Sequence, residues 1–323
     1  MAVVIPCWNA EAWIADAVRS AIAQPRVELD VVVVDDGSDD DSVRVAVEAG
    51  GGRVRILRQE RLGVSRARTA GTIAACGEYV QYLDADDVLA PETLIRRIEA
   101  LEHAEADVAY TDWARWEQQP DATFAEGDVF ARQLGARPDV ELVADAWWPP
   151  AALLYRRRIV DRIGPWREDL PIIQDARYLL DAALCGARFV YVAGLGARYR
   201  VTGAASLSRR DPRAFLDDCY RSAVTLDERW QREQGLDEAR RKALIKAYNI
   251  VARGYFTIDR PRFREIVARL QTLDPHFLPE GPPALRALSR VIGYAGAEHV
   301  ARWWRGLKAI PAMTARSSRA SGL

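Results

Sequence analysis

Two clusters of carboxylates in this chain have the residue type and spacing of a cation site. The stretch YLDADDVLAP, residues 82–91, places Asp84, Asp86 and Asp87 within four positions, directly after the apolar-rich EYVQYL. Like charges this close raise one another's pKa unless a cation compensates them. The cluster is therefore either a solvated turn, where Asp is common, or a cation site. Mg²⁺ and Mn²⁺ bind proteins through one or two carboxylates together with substrate phosphates, so metal-assisted phosphate chemistry is the expectation here.

The second cluster has the same relation to its strand. The run LDVVVVDDGS ends in Asp35 and Asp36, and its continuous apolar residues are typical of a strand that is covered on both faces. In open α/β sheets, ligands bind at the carboxyl ends of parallel strands. Two acid clusters at one predicted edge favour a shared binding site over two unrelated solvated turns.

The elements that must position these acids follow from the periodicity. Residues 1–113 alternate apolar runs with helical spacing, which predicts an α/β fold with a mostly parallel sheet and helices on both faces. Residues 114–210 read as irregular, and residues 211–311 read as a C-terminal helical region. The small and polar tail, residues 312–323, is predicted to be disordered.

Composition narrows the class of protein. The 323-residue chain has a formal net charge of −1, which argues against a nucleic-acid partner. Its four cysteines lie far apart and form no CxxC pair, as expected of buried thiols in a reducing compartment. We expect neither a signal peptide nor a spanning helix, so a cytoplasmic location is predicted. No convincing Ser-His-Asp or Cys-His set is present, so an enzyme nucleophile is not expected.

Four motifs in order carry a family resemblance. VVIPCWN, VVVVDDGSDDDS, GVSRARTAG and YVQYLDADDVL together resemble a family 2 glycosyltransferase with the GT-A fold, over about residues 1–207. The resemblance implies an inverting transferase that uses a nucleoside-diphosphate sugar, with a UDP-sugar favoured, and a divalent metal, Mn²⁺ or Mg²⁺. It also implies a glycosyltransferase domain over residues 1–210, made of a nucleotide-binding half (1–113) and an acceptor-side half (114–210).

The resemblance assigns donor-side roles by position. It implies that Asp36 accepts from the base and pairs with Arg68, and that Asp35 and Asp87 have supporting roles, with Asp87 orienting its loop or capping the next helix. Thr69 stands where the family has Asn, and Trp8 where it has Tyr. The implied nucleotide-sugar ligands are Pro6, Trp8, Asp36, Arg68, Asp84 and Asp86, of which Asp86 and Asp84 hold the metal.

The acceptor side is assigned in the same way. Asp175 is expected to be the general base, although Gln174 replaces the Glu that usually precedes it. Trp147 and Trp148 are expected either to stack on a sugar face or to pack as a hinge. Arg200 is expected to touch phosphate, and Thr202 occupies the region where many relatives supply a metal-binding His.

The resulting hypothesis is transfer of a hexosyl-type sugar to a hydroxyl of a glycan or lipid-linked acceptor, in cell-surface polysaccharide or glycoconjugate synthesis. A non-catalytic sugar-nucleotide-binding module stays open because of Thr69 and Gln174. A nucleotidyltransferase is disfavoured, since PCWNAEAW lacks the Gly and the basic residue of a triphosphate loop. The C-terminal basic segment either closes the helical bundle or makes peripheral contact with the inner face of a membrane, through Arg302, Arg305, Lys308, Arg316 and Arg319.

Overall fold

The computed structural model describes residues 1–202, 211–233, 235–280 and 282–308, with side chains to Trp303. The nucleotide-binding half alternates strands and helices as predicted. Its elements are β1 (Ala2–Cys7), α1 (Ile14–Ile22), β2 (Asp30–Asp35), α2 (Ser42–Gly50), β3 (Val54–Arg58), α3 (Val64–Ala74), β4 (Tyr79–Tyr82), β5 (Val88–Leu89) and α4 (Thr93–His103).

The first four strands form the parallel part of the sheet, in the order β3-β2-β1-β4. β1 lies between β2 and β4, with Val4 opposite Val32 on one side and Tyr82 on the other. Helix α3 packs so closely against this layer that a Cβ added at Gly71 would overlap the side chains of Val4 and Val34. The parallel arrangement brings the ends of β1, β2 and β4 to one edge of the sheet, as the acid clusters require.

The sheet continues into a mixed half. Beyond β4 the order is β8-β6-β9-β5, with β7 paired to β6. β8 is antiparallel to both β4 and β6, whereas β9 is parallel to β6 and antiparallel to β5. The elements are β6 (Val108–Gln118), β7 (Phe124–Phe130), α5 (Pro138–Ala144), a 3-10 turn (Pro150–Ala152), β8 (Leu153–Arg156), α6 (Arg157–Ile163), α7 (Gln174–Leu184) and β9 (Phe189–Val201).

This half is more regular than the sequence indicated. The β6–β7 hairpin was not predicted, because its alternation is interrupted by charged residues and by a register shift between Ala114 and Trp116. The sheet as a whole is nine-stranded and mixed, with its parallel part in the half that carries the acid clusters.

The C-terminal region is helical. Its helices are α8 (Pro212–Glu233), α9 (Glu238–Ile258), α10 (Arg260–Leu273) and α11 (Pro283–Lys308), the last interrupted at Gly293, where φ is 72°. Asp237 and Asp259 cap α9 and α10 by accepting the backbone N–H of Arg240 and Arg262 at 2.8 and 3.0 Å.

The chain divides into two compact units, Met1–Arg229 and Trp230–Leu323. The first unit thus includes most of α8 in addition to the predicted transferase domain. The second unit buries an aromatic and aliphatic core that includes Phe256, Phe263 and Leu270. The predicted disordered tail lies outside the described residues. In the described ranges, no helix combines the length and apolar character that a bilayer crossing requires.

Candidate functional site

The acidic loop between β4 and β5 makes its three carboxylates unequal. Leu83 donates its N–H to Val4 at 3.0 Å and so extends the strand, and the N–H of Asp87 then closes a turn on the carbonyl of Asp84 at 3.0 Å. This turn buries Asp87 completely, half-buries Asp84 and leaves Asp86 exposed. Asp86 is therefore the member of the cluster that is freely presented to a ligand.

The charge of this loop is poorly compensated. Desolvation by the surrounding protein raises the pKa of Asp86 to about 6, and the charge of Asp84 adds to this effect. Burial also raises the pKa of Asp87 well above its usual range, with the charges of Asp86 and Asp84 adding. Such a loop favours a cation, because a cation would relieve the repulsion among the carboxylates.

Arg200 stabilises this loop from β9. Its backbone N–H donates to Asp87 Oδ1 at 2.9 Å, and its Nε donates to the carbonyl of Asp86 at 2.7 Å. Its guanidinium also pairs with Asp16 at 2.8 Å. The guanidinium lies over three rings, with its Cζ 4.7, 4.3 and 4.6 Å from the ring centroids of Trp13, Trp116 and Phe124.

This environment gives Arg200 a structural role. Its side chain is only 2% exposed, and it is already held by a carboxylate, a carbonyl and three aromatic faces. Arg200 thus supports the acidic loop, and the expected contact with phosphate stays a prediction. Asp87 has a matching role: it orients the loop through Arg200, whereas the residue at the N-cap of α4 is Glu92.

Arg68 also has a different partner from the expected one. Its Nη2 pairs with Asp84, and its guanidinium lies over the ring of Trp166, with Cζ 4.4 Å from the centroid. The expected pair with Asp36 is therefore wrong for this structure. Nε and Nη1 of this buried guanidinium have no hydrogen-bond partner within the described part of the chain.

Asp36 instead fixes the loop that leads into α3. Its carboxylate accepts from Gln59 Nε2 at 2.6 Å and from the backbone N–H groups of Leu62 and Gly63 at 2.8 and 2.9 Å. The neighbouring Asp35 accepts from the backbone N–H of Ser38 at 3.1 Å and so shapes its own turn. These contacts hold the two loops that border the end of β2.

Trp8 follows β1 at the same edge. Its side chain is 39% exposed, and the guanidinium of Arg61 lies over the indole with Cζ 3.6 Å from the ring centroid. Pro6 lies within β1, buried opposite Val34. The stacked Trp8 and Arg61 provide a flat and positively charged wall beside Asp36. Sequence reasoning missed Arg61, although its place just before GVSRARTAG could have suggested it.

Asp175 lies in the first turn of α7 and is held by Trp147. Trp147 Nε1 donates to Asp175 Oδ2 at 2.9 Å, and Asp175 Oδ1 accepts the N–H of Ala176 at 2.8 Å. Burial raises the pKa of Asp175, and the positive charge of Arg68 opposes that effect. Trp148 is only 2% exposed and packs edge-to-face on Tyr110, with 5.1 Å between the ring centroids. Trp148 is therefore a core residue that is too deeply buried to stack on a sugar.

Tyr199 connects the two groups of carboxylates. Its ring packs edge-to-face on Trp147, which bonds to Asp175, and the next residue, Arg200, donates to Asp86 and Asp87. Burial raises the pKa of the Tyr199 phenol, and the charges of the carboxylates add to this effect. The only sequence signal for this role is the Tyr-Arg pair that Tyr199 forms with Arg200.

Two of the departures from the family pattern, Thr69 and Gln174, have different environments. Thr69 Oγ1 donates to the carbonyl of Ser65 at 2.9 Å and accepts the N–H of Trp166 at 3.1 Å, so it ties α3 to the loop that precedes α7. Gln174 is buried, and its Oε1 has no hydrogen-bond partner in the described ranges. Asp181 accepts from Arg177 Nε at 2.8 Å, as a structural residue would.

Asp84 and Asp86 are the candidate metal ligands of this site. Among the described residues, no group of three or more His, Cys, Asp or Glu side chains lies close enough to hold a metal without other ligands. Asp84 and Asp86 are hard oxygen donors, and they suit Mg²⁺ or Mn²⁺ when phosphate oxygens and water complete the shell. The residues therefore fit a metal that is bound jointly with a substrate diphosphate.

The sheet has a parallel half whose strands end in acidic loops, and it continues into a mixed half in which Asp175 lies at the start of α7. This arrangement defines an α/β fold of the GT-A type. Residues 2–162 match the family model described as glycosyl transferase family 2. The chain belongs to this family.

Individual relatives match over part of their length. The chain is 26% identical to the uncharacterized glycosyltransferase EpsJ of Bacillus subtilis over 192 residues, covering 56% of this chain and 55% of EpsJ. It is 38% identical to the succinoglycan biosynthesis protein ExoO of Rhizobium meliloti over 107 residues, covering 33% of this chain and 31% of ExoO. The match thus spans about half of the first relative and a third of the second.

A solved structure is similar over nearly the whole chain. S. aureus TarS 1-349 in complex with UDP-GlcNAc has a TM-score of 0.67 at 19% identity, covering 94% of this chain and 91% of that chain. At this identity, the likeness establishes the shared fold.

Proposed function

We propose that this protein is an inverting, metal-dependent glycosyltransferase that moves a sugar from a nucleoside-diphosphate sugar to an acceptor hydroxyl. The observation that carries the proposal is a grouping made by β9: Trp147, which bonds to Asp175, packs on Tyr199, and the next residue, Arg200, donates to Asp86 and Asp87. One side of this grouping has carboxylates suited to a metal-bound diphosphate, and the other has a carboxylate suited to accept a proton.

The donor is proposed to be a UDP-sugar. TarS, which has the same fold, has been solved with UDP and with UDP-GlcNAc. The nucleoside would bind at the wall formed by Trp8 and Arg61, near Pro6 and Asp36. Arg68 and Asp84 would lie on the ribose side, where Asp84 is the more exposed member of the pair.

The metal would be held by Asp86 and Asp84. A bound Mg²⁺ or Mn²⁺ neutralises charge on the diphosphate and stabilises it as a leaving group. The exposed Asp86 would be the direct ligand. Asp84, which shares its carboxylate with Arg68, would contribute less to the metal and more to the ribose side.

Asp175 is proposed to act as the general base in a single displacement. The acceptor hydroxyl gives its proton to Asp175, the acceptor oxygen forms a bond to the anomeric carbon, and the bond from that carbon to the diphosphate oxygen breaks. The electron pair leaves with the diphosphate, and the anomeric configuration is inverted. No enzyme nucleophile is needed.

The biological acceptor is proposed to be a glycan or a lipid-linked glycan, in cell-surface polysaccharide synthesis. ExoO is named for succinoglycan biosynthesis, which supports this class. A cytoplasmic location with peripheral contact at the inner membrane face is part of the proposal. Its support is the basic C-terminal segment, of which Arg302 is described and exposed on α11.

The matched pair Asp175→Asn and Asp161→Asn tests the proposal against a non-catalytic binding module. Asp161 is an exposed carboxylate on α6 and serves as the control. UDP release from UDP-glucose and UDP-GlcNAc with Mn²⁺ should fall at least a hundredfold in the Asp175 variant and stay unchanged in the control. UDP binding should survive in both. A wild-type protein that binds UDP with Mn²⁺ but transfers no sugar from a panel of UDP-, GDP- and dTDP-sugars would favour the binding module.

A further inference from the structure

The indole of Trp147 is oriented by its neighbours and in turn orients Asp175. Its ring packs edge-to-face on Trp113 at 5.3 Å and on Tyr199 at 5.6 Å, with interplanar angles of 85° and 88°. Trp113 is itself stacked on Phe130 at 4.1 Å. Strands β6, β7 and β9 therefore hold the indole, while the carboxylate that it contacts belongs to α7.

The direction of this hydrogen bond is unambiguous. An indole Nε1–H can only donate, and an ionised carboxylate can only accept. The bond between Trp147 and Asp175 Oδ2 measures 2.9 Å, and the other oxygen accepts one backbone N–H from Ala176. Each carboxylate oxygen thus has one fixed donor and retains lone pairs for an incoming hydroxyl.

The charges around Asp175 make this donor important. The titratable and charged groups that act on it or feel its charge are Arg68 on α3, Asp84 in the acidic loop, Tyr155 on β8 and Tyr199 on β9. Arg68 is a cation that pairs with Asp84, and the phenols are neutral. Trp147 is a side-chain donor that bonds directly to this carboxylate.

We infer that Trp147 is a positioning residue: its indole N–H fixes the orientation of the Asp175 carboxylate and keeps it ionised for proton transfer. This inference rests on the proposed function, in which Asp175 is the general base. It gives Trp147 the role of orienting the general base Asp175, in place of the sugar-stacking role that the sequence suggested. The conformational freedom that a first-turn Asp normally has is removed here by a donor from the segment before the 3-10 turn, 28 positions earlier in the chain.

The test compares Trp147→Phe with Trp147→His. Phe keeps an aromatic ring but lacks the N–H. In His, Nε2 lies three bonds from Cβ in a five-membered ring, as Nε1 does in Trp, so it can place an N–H at the same point. We expect the Phe variant to lower the rate of UDP release from UDP-GlcNAc by roughly ten- to a hundredfold, with KM for the donor unchanged. The His variant should recover part of that loss although it packs less well.

A titration separates this inference from the proposed function. Hydrogen bonds to the ionised form lower a carboxyl pKa, so removing the indole N–H should raise the pKa of Asp175. NMR of protein labelled at the Asp side chains should show this rise in the Phe variant, and no change in the control Trp303→Phe, whose ring is 64% exposed on α11. This measurement needs no activity.

The possible outcomes are distinct. An unchanged Asp175 titration in Trp147→Phe would overturn the inference. So would a His variant that is no better than Phe, or a Trp147→Phe change that still slows the enzyme in an Asp175→Asn background. Full activity of Asp175→Asn alone would instead overturn the base assignment and leave the Trp147 contact intact as a structural bond.

Discussion

Arg68 on α3 pairs with Asp84 in the acidic loop, and the arginine side chain is 2% exposed while the aspartate side chain is 26% exposed. A buried guanidinium that loses its carboxylate is left as an uncompensated charge. The charge of Asp84 therefore stabilises the fold through its pair with Arg68. The charge of the exposed Asp86, in contrast, is repelled by the neighbouring Asp84 and contributes less to stability.

This difference predicts opposite stability effects for two matched substitutions. Asp84→Asn should lower the free energy of unfolding by about 2–3 kcal/mol, because it weakens the pairing of a buried arginine. Asp86→Asn should leave it unchanged or slightly raised, because it removes a like-charge repulsion, yet it should abolish Mn²⁺-dependent binding of UDP. Urea unfolding and titration calorimetry measure the two quantities. Equal destabilisation by both variants would contradict the difference that we describe.

The aromatic enclosure of Arg200 predicts a structural defect on substitution. Arg200→Lys keeps the charge but loses the planar group that lies over three rings, so we expect a loss of about 2 kcal/mol in unfolding free energy. Arg198→Lys, on the same strand, is the control; its exposed pair with Glu126 predicts a change within about 0.5 kcal/mol. If Arg200→Lys instead weakened UDP binding at unchanged stability, a phosphate contact would be the better explanation.

Asp175 predicts the pH dependence of the rate. A general base works only when ionised, and burial raises the pKa of this carboxyl above the ordinary Asp value. Activity should therefore be full at neutral pH and fall on acidification, with its midpoint above the pKa of an ordinary Asp. The rate should be measured at saturating donor and Mn²⁺, so that the titration of Asp86 does not contribute. A rate that stays constant down to pH 4 would exclude Asp175 as the base.

Thr69 predicts a moderate stability effect. Thr69→Val removes the hydroxyl that accepts the N–H of Trp166 and donates to Ser65, and it should cost about 1–2 kcal/mol. Thr69→Ser keeps the hydroxyl and should retain most of the stability. Thermal unfolding of the two variants side by side is the measurement, and an equal loss in both would show that the methyl group matters more than the hydroxyl.

The sequence was sufficient for the parts of the fold that depend on local patterns. The β/α alternation of residues 1–113 and the placement of Asp36 and Asp84 after strands follow from apolar runs and their ends. The GT-A fold class is confirmed, because the family match and the fold agree with it.

The partners of the site residues could not be read from local patterns. Arg68 pairs with Asp84, 16 positions along the chain, and not with the Asp36 that the family pattern implied. The bond from Trp147 to Asp175 joins residues 28 positions apart, and the bond from Arg200 to Asp87 joins residues 113 positions apart. Such contacts depend on strand order, which the periodicity of one segment does not encode.

Strand order also has a consequence for how the protein is made. β9 lies between β6 and β5, yet it is the last strand of the sheet along the chain. On the ribosome, the acidic loop is synthesised more than a hundred residues before the arginine that braces it. Until β9 emerges and inserts, β5 has no strand partner and Asp87 lacks its N–H donor from Arg200. The nascent chain therefore carries an unsupported cluster of negative charge, and we expect the proposed metal site to form as one of the last events of folding.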